Sequence, residues 1–400
     1  MSNTFCPLLF QHLATHPHGG VTHCCVADHR DSLSSSRDGD RFYNLNSDTV
    51  HDTMNSESYK KARLEVLDGK QPKACTRCYV EESKGMNSKR IEEIKNYPDY
   101  TASVARELTD STGYMKDVQL EFVELRLGNT CNLKCRTCNP ASSSMWRNDY
   151  DALQSKTTFT LTDYNTLSGF RWPEREGFWD DLLKHCDTVK TFYINGGEPM
   201  LIKQHFAFLE RLVELGKTDI KLWYNINMTL MDEKVIELWH KFDHVKISCS
   251  IDDLGERNHY IRYPTTWEVV EKNFKRIANE GFEIDVTQTV SWMNYSTLGD
   301  FYNQFHKKYG SWVHHNYVYD PYFLSPAVLP KTMRDEIHKS FEGVFDEWKL
   351  KELKTMFDGP DNTEKWEQAK EYTRNLDKIR KQDIEDYLPE FKGKITNVSQ

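Results

Sequence analysis

The sequence predicts an α/β fold in which six strand–helix units build a mostly parallel sheet. Strand-like apolar runs alternate with helix-like runs, and the strand candidates are residues 119–127, 188–194, 219–228, 244–251, 284–292 and 312–319. Residues 205–216 and 266–281 have apolar side chains at helical spacing, and each of these runs closes with a glycine. Because this alternation gives parallel strands with right-handed crossovers, we expect ligands at the carboxyl ends of the strands.

Length and composition suggest two or three domains. A chain of 400 residues is too long for one core, and a proline-punctuated segment followed by helical patterns begins after residue 320. We therefore predict a cysteine-rich module at 1–112, a strand–helix core at 113–320 and a helical extension at 321–400.

Charge and hydropathy exclude several classes of protein. The net charge of −9 does not favour a nucleic-acid partner. There is no run of eighteen apolar residues, which predicts no membrane span, and the N-terminus lacks the pattern of a signal peptide. The expected location is the cytoplasm, where ten cysteines indicate metal binding rather than disulfides.

A tight group of cysteines follows the first predicted strand of the core. Cys131, Cys135 and Cys138 form a C-x3-C-x2-C run. Three thiolates can hold three corners of a [4Fe–4S] cube and leave the fourth iron open to a small molecule. A zinc site or three unrelated thiols are the alternatives, although zinc sites favour paired C-x2-C arrangements.

A glycine pair ends the second predicted strand. Asn195, Gly196, Gly197 and Glu198 stand about 60 residues after the cysteines. Glycines let backbone groups approach a ligand closely because no Cβ intervenes. Taken alone, the same residues could form a plain turn.

Together the cysteine run and the glycine motif resemble the radical SAM superfamily. The resemblance implies a partial (β/α)6 TIM-type barrel and a [4Fe–4S] cluster that binds S-adenosylmethionine (SAM). It implies that Cys131, Cys135 and Cys138 ligate this catalytic cluster and that residues 195–198 receive the SAM amino group. It also implies reductive cleavage of SAM to a 5′-deoxyadenosyl radical, which abstracts a hydrogen atom from the substrate.

The resemblance also implies contacts to the methionine and ribose parts of SAM. Asn227 occupies the position of a ribose or methionine contact, with a turn asparagine as the alternative. Ser250 could bond a ribose hydroxyl or cap a helix. Arg262 matches an arginine that clamps the SAM carboxylate, and a guanidinium fork suits a carboxylate.

The adenine contacts depart from the family pattern. Val290 and Asn294 fall where the adenine is often held. The family often has an aromatic residue just before the third cysteine, whereas this chain has Thr137. Any stacking on that side must be weaker or come from elsewhere, such as Trp146 or Trp292.

A second cysteine constellation lies near the N-terminus. Cys6 and Cys24 flank a glycine in a C-x12-G-x4-C pattern, and Cys75 and Cys78 form a C-x2-C pair. The pattern resembles the first half of a SPASM or Twitch domain, which carries an auxiliary iron–sulfur cluster and normally follows the core. Cys24 fits the glycine spacing better than Cys25, which remains an alternative ligand. Four thiolates would also suit a structural zinc ion.

The resemblance implies an enzyme that oxidatively modifies a peptide or protein. A small molecule such as a sugar or nucleotide is the alternative substrate class. A non-enzymatic zinc or iron–sulfur scaffold is the contrasting interpretation, and the glycine motif argues against it because a scaffold needs no amino-acid pocket. The chemistry requires an external one-electron donor such as flavodoxin or ferredoxin.

Overall fold

The structure is a computed structural model that describes residues 4–27 and 35–395. These residues form two compact units. Unit 1 comprises the described residues of Met1–Thr130, Leu167–Tyr224 and Glu233–Val245. Unit 2 comprises the described residues of Cys131–Thr166, Asn225–Asp232 and Lys246–Gln400.

The strands of both units are mainly parallel. In chain order they are β1 (His12–Thr15), β2 (Val21–Thr22), β3 (Arg37–Asp38), β4 (Arg41–Phe42), β5 (Phe122–Arg126), β6 (Thr191–Asn195), β7 (Lys221–Ile226), β8 (Val245–Ser250), β9 (Glu283–Val290) and β10 (Trp312–Tyr317). In unit 1 the order is β7-β6-β5-β1-β2, parallel except for β2, and β3 and β4 form a separate hairpin. In unit 2 β8, β9 and β10 are parallel neighbours.

All six predicted strands are present, as β5 to β10, so the predicted fold class is confirmed. The sequence analysis missed β1, which pairs in parallel with β5. Its four residues include a histidine and a threonine, so it carries no continuous apolar signal. Through β1, a segment of the cysteine-rich N-terminal region joins the same sheet as β5.

Helices connect the strands and fill the C-terminal region. In chain order they are α1 (Leu8–Gln11), α2 (Val50–Met54), α3 (Glu57–Leu67), α4 (Thr76–Ser83), α5 (Lys89–Asn96), α6 (Ala102–Glu107), α7 (Arg147–Gln154), α8 (Glu176–Leu183), α9 (Lys203–Glu214), α10 (Glu233–Trp239), α11 (Gly255–Ile261), α12 (Trp267–Asn279), α13 (Leu298–Tyr302), α14 (Lys331–Ser340), α15 (Glu347–Phe357), α16 (Thr363–Arg380) and α17 (Ile384–Tyr387). The predicted closing glycines follow α9 and α12, at Gly216 (φ +69°) and Gly281 (φ +84°). Among the described residues, no helix has the length and apolarity needed to cross a membrane.

The C-terminal helices are more broken than their sequence pattern suggests. The segment between α14 and α15 contains Gly343 at φ +80°, and α16 ends at Lys381 in the left-handed conformation. These helices complete the apolar core of unit 2, where Trp366 and Phe391 pack against Trp292. Trp366 and Phe391 are therefore core residues, whereas Trp348 of α15 is 70% exposed.

Helix α16 also holds the cysteine loop of unit 2 through a buried ion pair. The Arg136 guanidinium is 1% exposed and pairs with the Asp377 carboxylate. It lies over the Tyr260 ring, 3.5 Å from the ring centroid, and donates from Nε to the Tyr260 carbonyl at 3.0 Å. Burial raises the pKa of Asp377, while Arg136 and the Tyr260 hydroxyl act in the opposite direction.

A second charged group ties the same helix to the same loop. Asp149 accepts from Lys134 Nζ and from Arg380 Nε, each at 2.8 Å. The Arg380 side chain is fully buried, and its guanidinium lies 4.5 Å from the centroid of the Trp146 ring. Helix α16 therefore acts as a two-point clamp on the segment that carries the three cysteines.

We predict that Asp377→Asn will lower the free energy of unfolding by roughly 3–5 kcal/mol, because it leaves the Arg136 charge buried without its partner. Chemical denaturation of the full chain measures this change. Asp335→Asn is the matched control, since it removes an exposed ion pair with Lys331 and should leave stability nearly unchanged. Equal stability of the two variants would show that α16 does not clamp the loop.

Candidate active site

In unit 1 the backbone of the glycine motif, residues 195–198, is hydrogen-bonded to the backbone of residues 127–130, which lead to Cys131. Leu127 N donates to the Asn195 carbonyl at 2.8 Å, which continues the pairing of β5 with β6. Gly197 N then donates to the Gly128 carbonyl at 3.0 Å, and Glu198 N to the Thr130 carbonyl at 2.8 Å. The ladder therefore runs to the residue immediately before the first cysteine.

This close pairing explains both glycines. A Cβ on Gly196 would lie 2.5 Å from Leu127 N, and one on Gly197 would lie 2.2 Å from the Thr130 carbonyl oxygen. Gly196 also has φ +137°, a conformation that side chains disfavour. The space left by the missing Cβ atoms was predicted to admit a ligand, whereas the chain's own backbone occupies it. Contact between residues 195–198 and the SAM amino group stays a prediction.

The polar residues of the motif have defined places. Asn195 is the last residue of β6 and pairs with Arg126. Glu198 is 1% exposed, and its Oε1 accepts from Met200 N at 3.1 Å, at the start of a short 3₁₀ turn. This carboxylate fixes the turn that follows the glycines.

In unit 2 the cysteine loop is held by its backbone. Lys134 N donates to the Tyr263 carbonyl at 2.8 Å, and Arg136 N to the Ile261 carbonyl at 2.7 Å. The Cys135 carbonyl accepts from Cys138 N and from Trp146 Nε1, both at 2.9 Å. These hydrogen bonds fix the path of the loop.

The three core cysteines are close enough to influence one another. Burial raises the pKa of Cys138 most, and the neighbouring Cys135 and Cys131 raise it further. Burial also raises the pKa of Cys135, whereas Arg262 lowers it. Protonated, clustered thiols beside a guanidinium fit a cationic iron cluster, whose binding displaces the thiol protons.

Arg262 is a buried cation with one N–H group that makes no hydrogen bond to the described residues. Its Nη1 pairs with Asp252 Oδ2 at 3.0 Å, and only 10% of its side chain is exposed. Burial by itself lowers the pKa of Arg262, but Cys135 and Asp252 outweigh burial and raise it overall. Its Nε has no hydrogen-bond partner among the described residues. A buried, unpaired guanidinium N–H suits the carboxylate that the sequence analysis predicted for it.

An amide network connects the cysteine loop with the end of β7. Asn227 Nδ2 donates to Asn132 Oδ1 at 2.8 Å, and Asn132 Nδ2 donates to Thr229 Oγ1 at 2.8 Å. Asn227 Oδ1 accepts from Thr229 N at 3.0 Å. Met228 lies between them at φ +61°, a strained conformation of the kind found at functional sites. The sequence analysis named Asn227 but missed Asn132 and Thr229, although Asn132 stands inside the cysteine motif.

The predicted adenine and ribose residues lie at neighbouring strand ends of unit 2. Ser250 ends β8 and is half-buried, and Val290 ends β9 in the apolar core. Asn294 is fully buried and donates to the Asp252 carbonyl at 2.7 Å and the Thr289 carbonyl at 3.0 Å. Its amide therefore joins the ends of β8 and β9, a role that its sequence position did not reveal.

The two tryptophans considered for adenine stacking are core residues. Trp146 and Trp292 are both fully buried. Trp146 lies under Arg380, and Trp292 makes edge contacts with Trp366 and Phe391. As these side chains are packed, neither ring has an open face. Neither tryptophan therefore supplies the stacking on adenine that Thr137 lacks.

Four N-terminal cysteines gather in unit 1. Burial raises the pKa of Cys6 most, followed by Cys75 and, more weakly, Cys78. Burial also raises the pKa of Cys75, and Cys24 and Cys78 raise it further. Four mutually interacting thiols fit the ligand set of a closed [4Fe–4S] cluster.

Cys25 turns to a different environment. Burial raises its pKa to about 12, and Glu124, Lys89 and Arg126 are the charges that act on it next. The structure therefore brings Cys24 together with Cys6, Cys75 and Cys78, and places Cys25 beside strand β5.

Among the described residues, no set of three or more His, Cys, Asp or Glu side chains is arranged to hold one metal ion.

We predict that Gly197→Ala will lower the free energy of unfolding by roughly 1–3 kcal/mol, because the added methyl group overpacks the ladder at Thr130. Gly177→Ala is the control, since Gly177 lies in α8 and a Cβ added there would have no atom within 4 Å. It should raise stability by about 0.5–1 kcal/mol. Denaturant unfolding of both variants tests the ladder, and wild-type stability of Gly197→Ala would refute it.

Comparison with known proteins gives two family matches and several distant structures. Residues 125–302 match the model of the radical SAM superfamily. Residues 6–79 match the model of SPASM, described as an iron–sulfur cluster-binding domain. No curated protein matches this sequence.

The solved structures with detectable similarity are remote. Native anSMEcpe with bound AdoMet is 19% identical over 49% of this chain and 51% of its own, with a TM-score of 0.37. Streptococcus suis SuiB bound to S-adenosylmethionine is 14% identical over 77% and 67%, also with a TM-score of 0.37. SuiB bound to its precursor peptide SuiA is 14% identical over 83% and 68%, with the same TM-score. The chain spans about half the length of anSMEcpe, and similarity this weak supports no conclusion about activity.

The family matches agree with the two cysteine groups. The radical SAM match begins on β5, just before the cysteine loop, and the SPASM match begins at Cys6 and extends one residue past Cys78. The cofactors of such enzymes are S-adenosylmethionine and [4Fe–4S] clusters, one of them auxiliary. Residues 125–302 therefore form a segment of the radical SAM superfamily, and residues 6–79, ahead of it, form a SPASM iron–sulfur cluster-binding domain.

Proposed function

We propose that this chain cleaves S-adenosylmethionine reductively and uses the product to abstract a hydrogen atom from a peptide or protein. When bound, a [4Fe–4S] cluster with one open iron supplies the electron that splits SAM into methionine and a 5′-deoxyadenosyl radical. The observation that carries the proposal is the group of three interacting thiols at Cys131, Cys135 and Cys138, a set that leaves one corner of a cube without a protein ligand.

Arg262 would bind the SAM carboxylate. Asp252 holds one edge of the guanidinium, and the buried Nε has no partner among the described residues. A carboxylate at this position would gain a charge-assisted hydrogen bond in a site from which water is excluded. Asp252 would fix the direction of the guanidinium by holding Nη1.

The strand-end amides would orient the rest of the cofactor. The Asn132–Asn227–Thr229 network is internally bonded, so it keeps its shape without a ligand. Pre-organised polar groups of this kind bind without an entropic cost of reordering. Residues 195–198 would present backbone groups to the SAM amine, and Ser250, Val290 and Asn294 would contact ribose and adenine.

The N-terminal group would hold the auxiliary cluster with Cys6, Cys24, Cys75 and Cys78. Four protein thiolates close every corner of a cube, so this cluster would transfer electrons rather than bind SAM. An acceptor for the electron left on the product radical would make the reaction oxidative. An external one-electron donor such as flavodoxin or ferredoxin would reduce the catalytic cluster.

A peptide or protein is the proposed substrate class, because radical SAM enzymes with auxiliary clusters often modify ribosomally made peptides. The family resemblance is the basis of this choice. A deuterium atom placed on the reacting carbon of such a substrate would appear in 5′-deoxyadenosine. Absence of that transfer from a modified peptide would contradict hydrogen abstraction.

We predict that replacing Cys131, Cys135 and Cys138 together with Ala will abolish the formation of 5′-deoxyadenosine by anaerobically reduced protein. The iron content should fall from about eight to about four per chain, because only the auxiliary cube remains. Product chromatography and iron analysis measure the two effects. Cys186→Ala, which removes a buried thiol outside both groups, is the control and should change neither. Undiminished product in the triple variant would reject the catalytic assignment.

We predict that Cys24→Ala will lose about four irons per chain whereas Cys25→Ala will keep all of them. The reason is that Cys24 interacts with Cys6 and Cys78 as well as with the adjacent Cys25, whereas Cys25 interacts first with Glu124. Iron and sulfide analysis of the two purified variants compares adjacent cysteines in the same module. If only Cys25→Ala loses iron, Cys25 rather than Cys24 is the cluster ligand. Zinc bound in place of iron would exclude an auxiliary cluster.

A further inference from the structure

A cavity of about 470 Å³ opens beside Cys138 in unit 2. Its walls come from five parts of that unit: residues 137–139 of the cysteine loop, Tyr150, residues 159–164, residues 320–324 and helix α16. A volume of this size lies in the range of ligand sites and exceeds the space needed by one amino-acid side chain. The cavity therefore offers room for a substrate group next to a predicted cluster ligand.

Several lining residues of the cavity are aromatic and pack against one another or against Tyr150. Phe323 stands 5.3 Å from Phe159 and 4.9 Å from Tyr372, measured between ring centroids. Tyr164 packs 5.2 Å from Tyr150, whose hydroxyl donates to the Thr162 carbonyl at 2.9 Å. Rings held by one another in this way present faces that lose little entropy when a ligand binds.

One wall residue connects the mouth of the cavity with the cysteine loop. Burial raises the pKa of Tyr164 most, a hydrogen bond with Thr162 lowers it, and the charges of Asp320 and Cys138 raise it again. The phenol is therefore within electrostatic reach of both residues. A group bound along Tyr164 would lie near the predicted cluster ligand.

The mouth carries an unpaired negative charge beside an open ring. Asp320 is exposed, and its carboxylate makes no hydrogen bond or ion pair with any other residue that the structure describes. Tyr322, two residues later, is 41% exposed. Lys365 also lines the cavity, but its Nζ is bonded to Gln368 Oε1 at 2.9 Å and lies 3.8 Å from Glu364 Oε1. Asp320 is therefore a lining carboxylate without a cationic partner, whereas Lys365, the lining cation, is drawn to Gln368 and Glu364.

We propose that this cavity binds a lysine or arginine side chain of the peptide substrate, with the aliphatic stem against the rings and the cation at Asp320 and Tyr322. Aromatic faces attract cations, and a carboxylate adds a direct charge–charge contact. The proposal rests on the proposed function for the presence of a peptide substrate. It adds the chemical class of the residue that is recognised beside the radical site.

The test compares two probes of nearly equal shape, N-acetyl-lysine N-methylamide and N-acetyl-norleucine N-methylamide. Binding to the anaerobically reconstituted holoprotein with SAM is measured by ligand-observed NMR, without a reductant. We expect the lysine probe to bind about five- to ten-fold tighter, the sum of one exposed ion pair and one cation–π contact. The preference should shrink as salt is added, because the contact is at the surface.

Three variants decide the assignment. Asp320→Asn should bring the ratio of the two affinities close to one, and Tyr322→Leu should reduce it in part. Asp300→Asn, which neutralises an exposed carboxylate of unit 2 outside the cavity, should keep the full preference. Equal binding of both probes by the wild type, no binding of either, or a preference that survives Asp320→Asn would each overturn the proposal.

The probe-binding test and the test of the proposed function can fail independently of each other. Probe binding needs no electron transfer, whereas formation of 5′-deoxyadenosine does. Normal SAM cleavage without a lysine preference would overturn this inference alone. A lysine preference without SAM cleavage would overturn the proposed function alone. Tighter binding of the norleucine probe would identify the cavity as an apolar subsite and reject the cationic one.

Discussion

The close approach of two backbones at the ends of β5 and β6 is the constraint on which the glycine motif and its surroundings depend. Gly196 and Gly197 carry no Cβ, so Leu127 and Thr130 can pair with them beyond the regular strands. Any larger residue would occupy the space of the neighbouring backbone. The ladder sets the path of the chain up to the residue before Cys131, and with it the starting point of the cysteine loop.

Within unit 2 the cysteine loop is surrounded by a small excess of buried positive charge. The side chains that pair around it are four cations, Lys134, Arg136, Arg262 and Arg380, and three carboxylates, Asp149, Asp252 and Asp377. Four cations against three anions leave one positive charge beside three thiols. Such an excess opposes the mutual repulsion of thiolates and offsets part of the larger cost of burying their charge.

The sequence revealed the parts of this molecule that leave a local pattern. Six strands, the closing glycines and both cysteine groups follow from periodicity and spacing, which act over a few residues. Strand β1 was missed because it is short and exists by pairing with β5. The Asn132–Asn227 bond and the Arg136–Asp377 pair join residues 95 and 241 positions apart, so no local pattern marks them. The backbone neighbours of Gly197, Gly128 and Thr130, also could not be predicted from the sequence.

The distance along the chain between Arg136 and Asp377 has a consequence for biosynthesis. At roughly 5–20 residues per second, the ribosome needs about 12–48 seconds to make the 241 residues that separate them. Throughout that interval the cysteine loop exists without its clamp, and contacts of such long range form late. Until α16 has been made, the loop with the three thiols therefore lacks both of the ion pairs that hold it to this helix.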